Sequence, residues 1–334
     1  MTIWAEILWL LMGSGVILYA LTGGPDLGAG VWHLLARGPR KAEQRELLLH
    51  AIAPIWEANH IWLIFVIVVM FSAFSRAFSV ISIALHIPIA LATLGMVFRG
   101  AAFAFHSYGI HTEETKRAWS RVFSGSSIVT PVLLGSVAGA LGSGDIRVIN
   151  GTVTTGFVAG WTTPFALFVG CFTLALFATL AAVYLTAEAH DPALADDFRR
   201  RALWSEVVTG FFAALVVWRA QIEAPQLHAV LMRSTWTWAV QIGTAVLAFS
   251  TIYLLWVRRP RLARLTSAMQ VTLVVIGWGL AMDQHFILPD VSVESAIGHA
   301  PVLKAYVITV AVALVILAPA FWCLLRVFKL EQKR

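Results

Sequence analysis

Ile52-Ala53-Pro54-Ile55-Trp56-Glu57-Ala58-Asn59-His60-Ile61-Trp62-Leu63-Ile64-Phe65-Val66-Ile67-Val68-Val69-Met70-Phe71-Ser72-Ala73-Phe74 carries no charged residue after His60. As a helix it is long enough to cross the ~30 Å hydrocarbon core of a bilayer, which needs about 20 apolar residues. Runs of the same kind recur on both sides of it. They cover Glu6 to Leu35, Phe78 to Phe105, Val122 to Leu141, Thr162 to Thr186, Leu203 to Gln221, Thr235 to Val257, Thr266 to Asp283 and Val302 to Phe328. With the quoted stretch these make nine expected spans, so the chain reads as an all-α polytopic membrane protein. No signal-peptide cleavage pattern precedes Asp26, and the first run reads as a retained span.

Composition agrees. Of 334 residues, 59% are hydrophobic and 13% charged, against about 25% charged in soluble domains. The basic excess, 24 Lys and Arg against 18 Asp and Glu, does not indicate a nucleic-acid partner, because the cations lie in short clusters between apolar runs. Arg37, Arg40, Lys41 and Arg45, then Lys116, Arg117 and Arg121, then Arg199, Arg200 and Arg201, then Arg258, Arg259, Arg261 and Arg264, and finally Arg326, Lys329, Lys333 and Arg334 follow alternate spans. The positive-inside rule puts them all in the cytoplasm, with the amino terminus outside and the carboxyl terminus inside. Eight spans would put the last cluster on the wrong side. Cys171 and Cys323 sit within apolar runs and read as buried packing residues, giving neither a disulfide framework nor a zinc site.

Ionisable residues at membrane depth are costly and therefore candidates for function. At the head of the quoted stretch, Trp56, Glu57, Asn59 and His60 put an indole, a carboxylate, an amide and an imidazole into the first helical turns. Glu57 reads either as a carboxylate at the cytoplasmic mouth of a proton path or as a helix-start residue meeting the amino-terminal dipole. In the first run, Thr22-Gly23-Gly24-Pro25-Asp26-Leu27-Gly28-Ala29-Gly30 is expected to bend or unwind the helix. Asp26 there is a structural acceptor or a functional group. The third run carries His86, Arg99 and His106, and an intramembrane Arg needs a carboxylate or an anionic headgroup as partner. His86 and His106 are about 30 Å apart along a helix, and no second run has a matching pair, so this chain is not expected to bind haem alone. Asp283-Gln284-His285 and Glu206 read as interface residues.

Two of these stretches also carry a family likeness. Gly24-Pro25-Asp26-Leu27-Gly28-Ala29-Gly30 is similar to Gly-x-Asp-x-Gly-x-Gly, and Pro54-Ile55-Trp56-Glu57-Ala58-Asn59-His60-Ile61-Trp62-Leu63 to Pro-x-Trp-acidic-x-Asn-x-x-Trp-Leu, both of subunit II of the cytochrome bd-type quinol oxidases. Phe98-Arg99 with Phe103, and Ala318-Pro319-Ala320-Phe321-Trp322, agree more loosely. The Trp-Glu-x-Asn-His form resembles the cyanide-insensitive-oxidase-like branch.

The resemblance implies a non-haem subunit, in a bacterial plasma membrane, of an enzyme that oxidises membrane quinol and reduces dioxygen to water. It implies two four-helix bundles, over 1–142 and 161–284, plus a peripheral helix over 302–328, all in one membrane domain. The haem-bearing partner, subunit I, would hold two b-type haems and an oxygen-reducing haem, d or b. A small accessory subunit and a structural quinone are further possibilities within the family. Glu57 and Trp56 inherit a proton-path role, with Asn59 and His60 around them. Asp26 and Arg99 would be polar anchors between helices. A second acidic position of some members falls at Ala104, which cannot titrate, leaving His106 or a route through subunit I to substitute. The rival reading is a secondary transporter with a broken first helix, although no corresponding Gly-Pro break occurs in the second half.

Overall fold

The computed structural model describes residues 2–52, 56–108 and 112–331. Its helices are α1 (Ile3–Leu34), α2 (Lys41–Ile52), α3 (Trp56–Ala73), α4 (Ser75–Ala84), α5 (His86–Tyr108), α6 (Glu113–Ser143), α7 (Pro164–Glu188), α8 (Pro192–Glu223), α9 (Pro225–Arg233), α10 (Thr235–Trp256), α11 (Pro260–Ala281), α12 (Val293–Ala296) and α13 (Leu303–Glu331). Two antiparallel hairpins interrupt them: β1 (Val148–Ile149) with β2 (Thr152–Val153), and β3 (His285–Ile287) with β4 (Val291–Ser292). Several starts are specified locally. Thr163 and Asp191 accept from amides of the first turn, and Pro164 and Pro192 take the first helical position, where no amide hydrogen is needed.

Among the described residues seven helices, α1, α5, α6, α7, α8, α10 and α11, are long and apolar enough to cross a bilayer. An eighth span results if α3 and α4 are taken together, and α13 adds an apolar segment over Leu303–Leu317. Outward faces are apolar, as lipid contact requires, with Trp256, Phe249 and Val315 more than two-thirds exposed.

The expected span Phe78 to Phe105 is not one helix. The chain leaves α3 at Phe74, turns by 117°, forms α4 and enters α5 after Leu85. The turn has a packing cause. Phe74 is fully buried against Phe286 (ring centroids 5.0 Å), and Ala77, Val80 and Ile81 of α4 join the core cluster that includes Ile287, Val293 and Ala296. α4 therefore lies beneath the β3–β4 and α12 segment. The basic connection after α1 also differs from a plain loop, because α2 forms and docks on α8. Arg40 makes a two-pronged ion pair with Asp197 (2.8 and 3.0 Å), Gln44 donates to Asp197 (3.1 Å), and Arg201 donates back to Gln44 (2.6 Å). Cys171 is half-buried and Cys323 exposed on α13, so the expected burial of Cys323 is corrected for this chain by itself.

α1 is the hub, packing on α3, α6, α7 and α11. It stays helical through Pro25, contrary to the expected unwinding. The glycines serve close approach instead. A β-carbon on Gly28 would overlap the main-chain carbonyl of Phe177 on α7, and one on Gly30 would overlap the side chain of Ser127 on α6. Small residues let membrane helices approach to this degree, where dispersion replaces the hydrophobic effect as the attraction. At the far end from α2, Asp290 binds Arg147 (2.8 and 3.1 Å) and the Val148 amide (2.8 Å), tying the second hairpin to the first. Burial pushes the Asp290 carboxyl up, but the hydrogen bonds from Arg147 and Val148 and the Arg147 charge outweigh it and hold the group below the usual carboxylate range.

Candidate functional site

The densest buried polar group lies where α1, α5 and α6 meet. Arg99 of α5 and Asp26 of α1 are 2% and 5% exposed and form an ion pair. Arg99 also donates to the Asp26 main-chain oxygen (3.2 Å) and, through Nε, to Ser127 Oγ (3.1 Å), while its guanidinium lies 5.1 Å from the centre of the Phe123 ring. Ser127 passes its own hydrogen to the Phe123 carbonyl (2.7 Å). One helical turn away, His33 Nδ1 shares a hydrogen bond with Ser124 Oγ (2.9 Å) and sets its ring edge against Phe123. A lone charge here would cost several kcal/mol in apolar surroundings. Arg99 is instead met by the Asp26 carboxylate, the Asp26 main-chain oxygen and the Ser127 hydroxyl, and the Asp26 carboxylate by Arg99.

The cluster continues toward α3. Tyr19 lies two turns before Asp26 on the same face of α1, and its ring stands edge-on to His60 at 6.1 Å between centroids. The Tyr19 hydroxyl and Asp26 Oδ2 are buried with no hydrogen-bond partner among the described residues. Buried polar atoms of this kind are uncommon and mark places where a water, an ion or a proton is to be expected. Asn59 of α3 is buried beside this region. Glu57 and Trp56 open α3 one turn before His60, but their side chains, and that of His106, lie outside the described residues. The structure thus brings Asp26, Arg99 and Tyr19 into one buried group, with the partly exposed His60 against Tyr19.

Tyr19, His33, Ser124 and Ser127 were not legible as site residues. The signal available was Ser124 and Ser127 three apart inside an apolar run, which puts two hydroxyls on one face. A second buried polar pair sits in the later helices. Glu206 of α8, which sequence reading places at an interface, is 4% exposed and accepts from Gln270 of α11 (2.6 Å). Its second oxygen has no partner among the described residues. Nearby, Thr209 bonds Thr179 of α7 (3.0 Å).

Two of the described histidines have local partners: His33 bonds Ser124, and His86 bonds the Ile83 carbonyl (2.9 Å) at an exposed helix start against Phe157. Among the described residues, no group of three or more His, Cys, Asp or Glu side chains is placed to hold a metal.

Comparisons with known proteins cover nearly the whole chain. The family described as cytochrome bd terminal oxidase subunit II matches residues 4–328. A Bacillus subtilis (strain 168) protein described as a candidate cytochrome bd menaquinol oxidase subunit II is 25% identical over 336 residues, covering 95% of this chain and 93% of that one. Subunit 2 of the cytochrome bd-I ubiquinol oxidase of Escherichia coli (strain K12) is 28% identical over 182 residues, covering 53% of this chain and 47% of its own length. The fold is similar to a chain of the bd oxidase from Geobacillus thermodenitrificans, with a TM-score of 0.78, 19% identity and coverage of 98% and 97%.

Proposed function

This chain belongs to the cytochrome bd terminal oxidase subunit II family, and we propose that it is the non-haem half of a heterodimeric quinol oxidase, supporting haem retention in subunit I and conducting protons from the cytoplasm. Quinol oxidation and dioxygen reduction then take place at haems held by the partner, which supply the redox chemistry. The chain's own residues position helices and hold protons. On this reading it spans a bacterial plasma membrane nine times, with its amino terminus outside and its carboxyl terminus in the cytoplasm. Residues 1–142 and 161–284 form two four-helix bundles, and 302–328 is a peripheral helix. The clustering of Arg37 to Arg45, Arg199 to Arg201 and Arg258 to Arg264 at one end supports the orientation. An accessory subunit and a structural quinone remain consistent with the family.

The observation that carries the proton role is the contact of His60 with Tyr19, on the face of α1 that also presents Asp26 to Arg99. Glu57, one turn nearer the basic end of α3, would take the proton from the cytoplasm. Trp56 and Asn59 would orient it, and His60 and His106 would be the next polar groups. The Asp26–Arg99 pair fixes α1 against α5, so the group facing α3 keeps its position as charge moves. The test is Glu57→Gln in the assembled oxidase. The expected result is reduced oxygen uptake and membrane-potential generation with haem content intact; unchanged values of both would overturn the proton role.

A further inference from the structure

A cavity of about 190 Å³ opens between the end of α7, the start of α8 and the turn from α10 to α11, lined by Thr186, Pro192, Asp196, Arg199, Leu255 and Arg258 among others. Its charge balance is uneven. Asp196 accepts from Arg199 (2.9 Å) and also has Arg258 at 3.5 Å and Arg200 at 3.7 Å. The neighbouring carboxylates are already engaged. Asp197 holds Arg40 and Gln44, Glu188 holds Arg264 (2.8 Å), and Asp191 caps the start of α8. Three guanidiniums, each with five N–H donors, therefore share the Asp196 carboxylate. Arg200 and Arg258 keep most of their surface open to the outside.

The turn is built to present that charge. Arg258 has φ of 58°, in the left-handed region that side chains other than glycine rarely adopt. Amides on both sides fix it there, Arg258 N bonding the Leu255 carbonyl (3.2 Å) and Arg259 N the Leu254 carbonyl (2.8 Å). Leu255 and Pro260 form an apolar floor to the cavity. Near the same turn, Tyr253, Trp256, Leu262 and Leu265 of α10 and α11 are exposed apolar side chains.

We propose that this cavity binds the headgroup phosphate of an anionic phospholipid. Arg199 and Arg258, which line the cavity, hold the phosphate, with Arg200 beside them at Asp196, and the acyl chains lie along the exposed faces of α10 and α11. A basic pocket between membrane helices, close to exposed apolar side chains of α10 and α11, matches a ligand that is charged at one end and hydrocarbon at the other. The excess of guanidinium charge over the one carboxylate that these arginines share selects a headgroup with net negative charge over a zwitterionic one. A free inorganic anion would satisfy the arginines but leave the apolar side chains unused.

The experiment uses the whole oxidase in mild detergent with a photoactivatable phosphatidylglycerol. Label is expected on peptides within 186–200 and 253–265, competed by phosphatidylglycerol and not by phosphatidylcholine or inorganic phosphate. Arg199→Gln with Arg258→Gln should weaken labelling about 30-fold at low ionic strength, two surface charges at about 1 kcal/mol each, with the haem spectrum unchanged. Label spread evenly over the chain, undiminished label in the double variant, or equal competition by phosphatidylcholine would overturn the site. Equal competition by inorganic phosphate would reduce it to a free-anion site and overturn the lipid assignment. Should the double variant fail to assemble, the competition series on the unaltered oxidase decides.

Discussion

Arg99 grips Asp26 twice, once at the carboxylate and once at the main-chain oxygen, so a single side chain from α5 holds both the charge and the backbone of α1. Its Nε is simultaneously committed to Ser127 of α6. Three helices are thereby fixed at one point, in a region where ordinary hydrophobic attraction between helices is weak because lipid is equally apolar.

Removing one partner of this pair strands the other. Arg99→Leu is expected to lower stability by about 3–5 kcal/mol, the usual penalty for an uncompensated buried charge, whereas Asp26→Asn combined with Arg99→Leu should lose less than the two single changes together. Thermal unfolding of the detergent-solubilised oxidase, with haem content as a second readout, measures this. Strict additivity of the single changes would show that the two groups do not act as a pair.

Gly28 and Gly13 lie on the same helix but face different neighbours. Gly28→Ala pushes a methyl into the Phe177 backbone, while a methyl at Gly13 meets nothing within 4 Å. The first change should cost about 1–3 kcal/mol by forcing α1 and α7 apart. The second should be neutral or slightly stabilising, since alanine is the better helix former. Melting temperatures of the two variants decide it, and similar values would mean that α1 and α7 are not in backbone-close contact.

Asp290 makes stability depend on pH in a definite direction. Its carboxyl ionises more readily in the fold than in the unfolded chain, where the value is near ~3.9. Its contribution is therefore complete above the unfolded value and disappears as pH falls through the folded one. Melting temperatures of the wild type and Asp290→Asn should differ at pH 6 and converge in strong acid. A constant gap down to acid pH would remove the carboxylate from the explanation.

Glu206 and Gln270 give a chemical contrast. Glu206→Gln preserves shape and can still accept from Gln270, so it should accumulate and melt like the wild type. Gln270→Leu removes the one donor seen on a buried carboxyl and should cost about 1–3 kcal/mol. Equal stability of Gln270→Leu and the wild type would show that water already serves this site.

Much of the scaffold was legible because a bilayer imposes a length on every crossing helix, and apolar runs can be counted. The run 78–105 holds the spanning-length α5 but also most of α4, because composition does not mark where an apolar run breaks. Only the burial of Phe74 against Phe286, 212 positions later, decides it. The α2 helix was hidden for a related reason. Its charged residues read as a topology signal, while its docking depends on Asp197 and Arg201 in a distant helix. Asp26 and Arg99 could be singled out as costly residues from sequence, but their pairing is a long-range contact that no local pattern encodes. Gly28 and Gly30 were legible as a helix-weakening cluster and turned out to be contact surfaces.

The ties at the two ends of the molecule act together. Arg40 and Gln44 fasten the early part of the chain to Asp197 at one end, and Arg147 fastens the connection after α6 to Asp290 at the other. Between them Gly28 brings α1 against the α7 backbone and Gly30 brings it against Ser127 of α6. A frame braced at both ends and along its middle resists rocking, which is the motion that alternating access requires. Such a frame moves as one body, so a push at either end is felt along the whole length of α1.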